Sequence, residues 1–486
     1  MLNKFYAYEK QLSPEAKTEL GIVYTPFHIV QWINRRVLEL WDKPTPPRVI
    51  DPCCGTGVFL YDMAQQISLR WSIDLEEVYQ KYIFGSDLDK QAIATGKKLM
   101  PNANLCVENS LNLDFKQFDL IVTNPPYIRI QNLTESARQE IKKDFTSCKG
   151  DTDIYIAFFE KILLSGLIAG FICPNSWLKN KSASILRGKI KEENRLDSLI
   201  DFKSKKVFHG VGTYTSILIF NGQKTNQISV GNDLESLSTL NKSEVFVGDA
   251  ILIDKKDQSF MKKILSYNTK IFDICNINVG LATLADDVFC VELVEKRHST
   301  SRVRKRKKDS PIFEIENDII IECLKGGDIT KNKNKQYVII YPYDTAKNLI
   351  TESHLKTNFP LAFEYLAQNK ERLLRRDKGK DKNYKWYEYG RTQSLNLIQK
   401  DTLVFPTMVK DYIPFKKCQK GTAFISGYCL VPKGIHNLNT LQELFSADEM
   451  RKWIAILGKN MGNEWKGISK ETFKNYKIKI EDNQCG

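Results

Sequence analysis

FDLIVTNPPYIRI, Phe118–Ile130, decides how the rest of the chain is read. Phe118, Leu120, Ile121 and Val122, broken only by Asp119, predict a buried strand running up to the turn former Asn124. The prolyl pair that follows cannot continue a sheet ladder and restricts φ twice, so Asn124-Pro125-Pro126-Tyr127 is a stiff, extended exit loop. Such a loop holds a side-chain amide, a main-chain carbonyl and an aromatic ring in one constellation. The Asn124 amide oxygen and the Pro125 carbonyl are both acceptors, able together to grip an NH2 group, and Tyr127 can stack on the flat ring that carries it. The alternative is a plain strand exit through two prolines. The position at the carboxyl end of a buried strand, where open α/β sheets bind ligands, favours the first reading.

Upstream, Arg48-Val49-Ile50 leads into DPCCGTGVFL, Asp51–Leu60, which reads as strand, tight glycine turn and helix. Gly55 and Gly57 let the backbone approach a ligand or take positive φ. The spacing is neither a dinucleotide fingerprint nor a P-loop. Asp51 beside the turn suits a cationic ligand. Ile83-Phe84 predicts a second strand with Asp87 at its end, where a carboxylate can accept from both hydroxyls of a ribose. The ~30 residues separating it from Gly57 exceed the usual ~20 and fit a helical insertion around Asp74 to Tyr82. Asp89 can instead cap the next helix. Asn104–Leu113 reads as a third strand with Asn109-Ser110 at its end. Before all of these, Thr25-Pro26 predicts an N-cap and first turn, with Ile29, Val30 and Ile33 on the apolar face.

Downstream, Gly150-Asp151-Thr152-Asp153 opens a helix through Phe158, Phe159 and Leu163. Leu167–Leu178 is a buried strand and exit loop, Ile185–Asn194 a basic helix, and Leu199–Phe202 another strand. Val207–Phe220 reads as a glycine-rich turn followed by a strand. Strand-helix alternation at this cadence means parallel pairing in a doubly wound sheet. Beyond about Ala250 the cadence changes and basic residues become dense. Glu295–Ser310, EKRHSTSRVRKRKKDS, reads as a loop able to lie on phosphates. Asn369–Lys382 reads as a basic helix with Arg372, Arg375 and Arg376. Lys385–Gln393 interleaves aromatics with Arg391, as a nucleic-acid surface or as aromatic core.

The whole chain has 486 residues, 42% of them hydrophobic and 27% charged, enough for two or three domains with ample core. A net charge of +14 favours a polyanionic partner, nucleic acid before membrane surface. No apolar run approaches the ~20 residues of a membrane span. The N-terminus lacks a signal-peptide core, so a cytoplasmic protein with no membrane partner is expected. Eleven cysteines without a CxxC pair, and five histidines, predict reduced thiols and no metal site.

Thr25-Pro26, DPCCGTG, GSDLD, VENSL, TNPPY, DIYIAFFE, GFICPNSWL and VFHGVGTYTSILIF, in that order, resemble the γ-class N6-adenine DNA methyltransferases, the TaqI-like group above all. The resemblance covers the first ~230 residues and, more loosely, the remainder. It implies an α/β class I methyltransferase domain with a doubly wound mixed sheet over residues 1–250, and an α+β target-recognition domain over residues 251–486. It implies S-adenosylmethionine as cofactor, with Thr25 on its carboxylate, Asp51, Cys53, Gly55 and Gly57 on the methionine side, and Asp87 on the ribose. Asn109, where the family usually has Asp, would contact the adenine amino group. Asn124 would lie between cofactor and target. It further implies a catalytic set of Asn124, Pro125, Pro126 and Tyr127, with Phe208 stacking on the flipped base opposite Tyr127. His209 departs from the proline common at its position.

The implied partner is double-stranded DNA, bound by a monomer, with a separate cognate restriction endonuclease possible. Enzymes that methylate RNA adenine or a protein glutamine share the NPPY signature, and an inactive DNA-binding homologue is a third reading. The basic second half favours DNA.

Overall fold

Leu120–Thr123 forms a strand buried along its whole length, and its side chains divide between two cores. Leu120 and Val122 pack into one cluster with the helix Phe27–Glu39 and the helix Val58–Trp71, while Ile121 packs into the other with the helix Tyr155–Ser165. A strand covered on both faces needs apolar residues at successive positions, which is why this stretch reads as a run and not as an alternation.

The structure is a computed structural model describing residues 2–13, 23, 25–150, 152–208, 213–248, 250–307, 309–330, 335–376, 385–392, 394–461 and 463–479. It divides into two compact units, Met1–Lys262 and Lys263–Gly486. In the first, nine strands form one sheet: β1 (Val49–Asp51), β2 (Ile83–Asp87), β3 (Asn104–Val107), β4 (Leu120–Thr123), β5 (Ile168–Pro174), β6 (Leu196–Asp201), β7 (Thr215–Phe220), β8 (Gln227–Gly231) and β9 (Ser238–Asn241). Their spatial order is β3-β2-β1-β4-β5-β7-β6-β8-β9. Strands β3 to β5 pair in parallel, and β7 runs antiparallel to both β5 and β6. The sheet is therefore mixed and doubly wound. Chain order reverses between β1 and β4, and the crevice beyond their carboxyl ends is where such sheets bind ligands.

Helices cover both faces: α1 (Leu2–Gln11), α2 (Phe27–Glu39), α3 (Val58–Trp71), α4 (Leu75–Tyr82), α5 (Lys90–Leu99), α6 (Glu135–Asp144), α7 (Tyr155–Ser165) and α8 (Ser184–Glu193). The insertion before β2 is α4, capped by the Asp74 side chain on the Glu76 amide. Asp89 caps α5, accepting from the amides of Gln91 and Ala92.

Several expectations are corrected. Thr25 does not cap α2. Pro26 takes that position, and its carbonyl accepts from Ile29 and Val30. The third strand ends at Val107, because Asn109 folds its side chain onto the Leu111 amide and leaves the ladder. The first unit extends past residue 250. Ala250–Ile251 pairs with Phe246–Val247, Ile251 belongs to the core beneath the sheet, and Gln258 of the following helix donates to the Leu252 carbonyl.

In the second unit, a six-stranded sheet takes the order Ile312–Glu316, Thr300–Arg304, Cys290–Lys296, Tyr337–Ile340, Ile320–Lys325, Ala423–Ile425. A four-stranded sheet takes Cys275–Val279, Gly427–Pro432, Thr402–Pro406, Lys416–Cys418. The stretch 295–310 is mostly a hairpin and not a free loop. Arg297 pairs with Glu295 and Glu314, Arg302 with Glu295, and Arg304 with Glu292, at 2.6 to 3.3 Å. Lys370–Leu374 is the described helical part of 369–382, whose residues 377–382 lie outside the described residues. Arg376 is 1% exposed and donates to the carbonyls of Leu373, Thr283, Glu388 and Trp386, an internal clamp. Trp386, Tyr387 and Tyr389 are buried in the core of this unit, the aromatic-core alternative for that stretch. Among the described residues no helix is long and apolar enough to cross a membrane.

Candidate active site

Four strand ends and a loop wall a cavity of about 240 Å³ in the first unit. Asp51 stands at the end of β1, Cys53 and Gly55 in the turn after it, Asp87 at the end of β2, Asn109 after β3, and Asn124 and Pro126 after β4. Thr25, just before α2, and Ile154 and Phe158, near the start of α7, close the sides. Eight of the sequence-derived site residues therefore line one space: Thr25, Asp51, Cys53, Gly55, Asp87, Asn109, Asn124 and Pro126.

The turn after β1 is stitched to the end of β2. Gly55, at φ 52, donates its amide to Asp87 Oδ2 at 2.8 Å, and the Cys54 amide reaches the Ser86 carbonyl at 3.1 Å. Asp87 Oδ1 accepts from the Asp89 amide at 2.9 Å. Burial raises the Asp87 carboxyl against the pull of these amides. Asp51 is 1% exposed, with Oδ1 accepting from the Cys53 amide at 3.0 Å. Its Oδ2 is buried and meets no hydrogen-bond geometry among the described residues, and the Thr123 hydroxyl, likewise unbonded, is the neighbouring donor that pulls this carboxyl down. Burial first, and the Asp87 charge last, push the Asp51 carboxyl up to about 7. A buried carboxylate on a cavity wall calls for a cationic or donor group from a ligand.

Asn124 is held by residues one hundred positions away. Its Nδ2 donates to the Val23 carbonyl at 2.7 Å and to Thr25 Oγ1 at 3.1 Å. A carbonyl can only accept, so the amide orientation is fixed and Oδ1 is the acceptor end. Oδ1 accepts from the Tyr127 hydroxyl at 2.8 Å and keeps a second lone pair. The Pro125 carbonyl accepts no hydrogen bond among the described residues. Thr25 Oγ1 accepts from Asn124, and among the described residues its own hydrogen has no recorded acceptor.

Gly57, Pro125, Tyr127 and Phe208 do not line the cavity. Gly57 caps α3 at φ 95, and any Cβ there would strike the Met100 side chain, so its glycine serves the fold. Phe208 is 3% exposed and meets Tyr127 edge-on, centroids 6.4 Å apart and planes at 65°. The two rings touch each other and do not form an open parallel slot. His209 and the glycines after it lie outside the described residues.

The structure adds groups that no motif announced. The Val23 carbonyl has no sequence signature. In α1, the Tyr6 hydroxyl donates to the Thr25 carbonyl at 2.7 Å and Tyr8 to Asp89 Oδ2 at 2.6 Å, so the first helix braces two cavity walls. The sequence shows only a charged and aromatic N-terminus there, with no motif that announces these bonds.

The Eco57I restriction-modification methylase family matches residues 58–208. The chain is 25% identical over 487 residues to the type II restriction enzyme and methyltransferase RM.Eco57I of Escherichia coli, across 78% of this chain and 48% of that protein. It is 23% identical over 458 residues to the type II methyltransferase M.HincII of Haemophilus influenzae, across 91% of this chain and 82% of that protein. The chain thus spans about half the length of RM.Eco57I. Among solved structures, the type IIL restriction-modification enzyme MmeI in complex with DNA superposes with a TM-score of 0.61 at 13% identity, over 99% of this chain and 71% of that one. At that identity the likeness establishes the fold. The first unit has the class I S-adenosylmethionine-dependent methyltransferase fold, and its residues 58–208 carry the match to the Eco57I restriction-modification methylase family.

Proposed function

We propose that this chain methylates the exocyclic N6 of adenine in double-stranded DNA, using S-adenosylmethionine and a target base turned out of the helix. The observation that carries the reading is the fixed polarity of the Asn124 amide on the wall of a cavity that a buried carboxylate also lines.

The residues present fit that cofactor. Asp51 Oδ2 suits the ammonium of its methionine part, the Thr25 hydroxyl its carboxylate, and Asp87 at the end of β2 the ribose hydroxyls. Asn109 retains one lone pair on Oδ1, beyond the one given to Leu111, for the adenine amino group. Once bound, S-adenosylmethionine supplies an electrophilic methyl on a sulfonium.

The protein's own part is positioning. The adenine amine is a poor nucleophile because its lone pair is delocalised into the ring. Asn124 Oδ1 and the Pro125 carbonyl, both acceptors, hold the two N–H bonds so that the lone pair turns away from the ring and towards the methyl. This is orientation and preorganised electrostatics, without a strong base. An amide oxygen is too weak a base to take the proton first, so the proton leaves after the methyl has transferred. Tyr127 and Phe208 offset the few kcal/mol of unstacking by base-aromatic contact worth roughly 1–3 kcal/mol per base. Because the rings touch edge-on here, they must part to admit the base.

The relatives matched are methyltransferases of restriction-modification systems, and the +14 net charge suits a polyanion. The test is incubation with methyl-labelled cofactor and, in parallel, plasmid DNA, transfer RNA or total protein, followed by hydrolysis. Label in N6-methyladenine released from DNA supports the proposal. Label in RNA or in protein glutamine refutes it.

A further inference from the structure

Two cations flank the Tyr127–Phe208 pair in sequence and a third stands on the turn that leads to Phe208, and none was singled out by charge density in the sequence. Arg129 lies two residues beyond Tyr127, and Lys206 lies two residues before Phe208. Two residues span at most ~7 Å, so both side chains start from the rim of the contact between the rings.

Lys203 is presented from a locked turn after β6. Asp201 Oδ1 accepts from the Lys203 amide at 2.9 Å and from Asn175 Nδ2 at 2.7 Å, and Asn175 Nδ2 also reaches the Lys203 carbonyl at 3.1 Å. The Lys205 amide closes the turn on the Phe202 carbonyl at 2.9 Å. Asn175 follows β5, which runs parallel to β4, so this turn sits at the same sheet edge as Asn124.

Arg129, Lys203 and Lys206 are exposed, and among the described residues no carboxylate forms an ion pair with any of them. The neighbouring Lys205 already feels Asp233. The contrast with the densest basic run of the chain is sharp, since Arg297, Arg302 and Arg304 there are held by Glu292, Glu295 and Glu314. A cation already paired with a carboxylate has less to gain from a phosphate than a free one.

We propose that Arg129, Lys203 and Lys206 form a phosphate-binding rim that seats the DNA backbone flanking the turned-out nucleotide. This rests on the reading of duplex DNA as substrate. The rim positions the strand and carries no sequence information. Its signature is the salt dependence of binding, in which each neutralised phosphate adds about −0.9 to the slope of log K against log salt.

The experiment is a salt titration of the full chain against a labelled duplex of arbitrary sequence, read by anisotropy. Wild type is compared with R129Q/K203Q/K206Q, with R129K/K203R/K206R, and with the hairpin variant R297Q/R302Q/R304Q. Thermal unfolding checks that each variant is folded, and the three single glutamine variants replace any triple that is not. The rim predicts a slope shallower by roughly 2.7 in the glutamine triple, about 0.9 in each single variant, and wild-type slopes in the charge-retaining and hairpin variants. A glutamine triple with the wild-type slope, or a hairpin variant that carries the loss, overturns the rim while the DNA reading stands. Wild type that binds no duplex at low salt overturns both. A slope change on single-stranded RNA alone overturns the choice of DNA as the partner.

Discussion

At Asp51 the proposed contact with a cationic cofactor ties binding to pH. Its carboxyl is raised to about 7, chiefly by burial, from an ordinary value near 4. An acid whose folded pKa is raised contributes stability below its unfolded pKa and loses it as pH climbs through the folded value. The free protein is therefore expected to lose thermal stability between about pH 4 and 7, with Asp87 acting in the same direction, and Asp51→Asn should flatten the part due to Asp51. Binding of a cationic ligand has the opposite sign. Calorimetric titration with the cofactor should show affinity falling up to about tenfold per unit of pH well below 7 and levelling off above it. A profile flat from pH 5.5 to 8 would contradict the role given to Asp51. Thr25 offers a second test at this scale, because its hydroxyl oxygen accepts from the Asn124 amide. Thr25→Val removes a hydrogen bond worth about 1 kcal/mol and should lower kcat roughly fivefold, with Thr25→Ser restoring it. Unchanged kcat in the valine variant would show that Val23 alone orients Asn124.

At the scale of elements, legibility followed how local the cause was. The strand at 120–123, the helix after DPCCGTG, and the inserted helix α4 were readable because each is dictated by neighbours in sequence. The antiparallel β7, wedged between β5 and β6, left no trace beyond an apolar strand pattern, since pairing direction depends on distant partners. The Thr25 side chain looked like a helix cap but is turned to Asn124, and no local rule could reveal that. Charge misled most. Arg376 sits in a basic stretch that suggests phosphates, yet its guanidinium binds four carbonyls inside the second unit. Arg376→Met leaves the Leu373, Glu388 and Trp386 carbonyls without this donor, while Thr283 keeps the Gly390 amide, at about 1–3 kcal/mol for each that stays dry. Denaturant unfolding should show the second unit destabilised by at least about 3 kcal/mol. A variant with wild-type stability and weakened DNA binding would return Arg376 to the phosphate-contacting group.

At the scale of the whole molecule, most of the cavity was legible and its dynamics were not. Eight residues named from motifs line one space, because the motifs fall at strand ends and a doubly wound sheet gathers those ends. The aromatic pair was identified by type, whereas its closed edge-on contact depends on how Phe208 packs into the core. The proposed entry of a base between them requires those rings to part, so opening would contribute to binding. Tyr127→Ala and Phe208→Ala should weaken binding to a normal duplex more than to one with a mismatched target, where unstacking costs less. Equal losses on both duplexes, measured by anisotropy, would count against stacking.

The most direct test of the account is incorporation of labelled methyl into DNA by Asn124→Ala, in a variant shown to retain cofactor binding. The account predicts that label in N6-methyladenine falls by two orders of magnitude or more, as for removal of a preorganised transition-state group. Incorporation at the wild-type rate would contradict it.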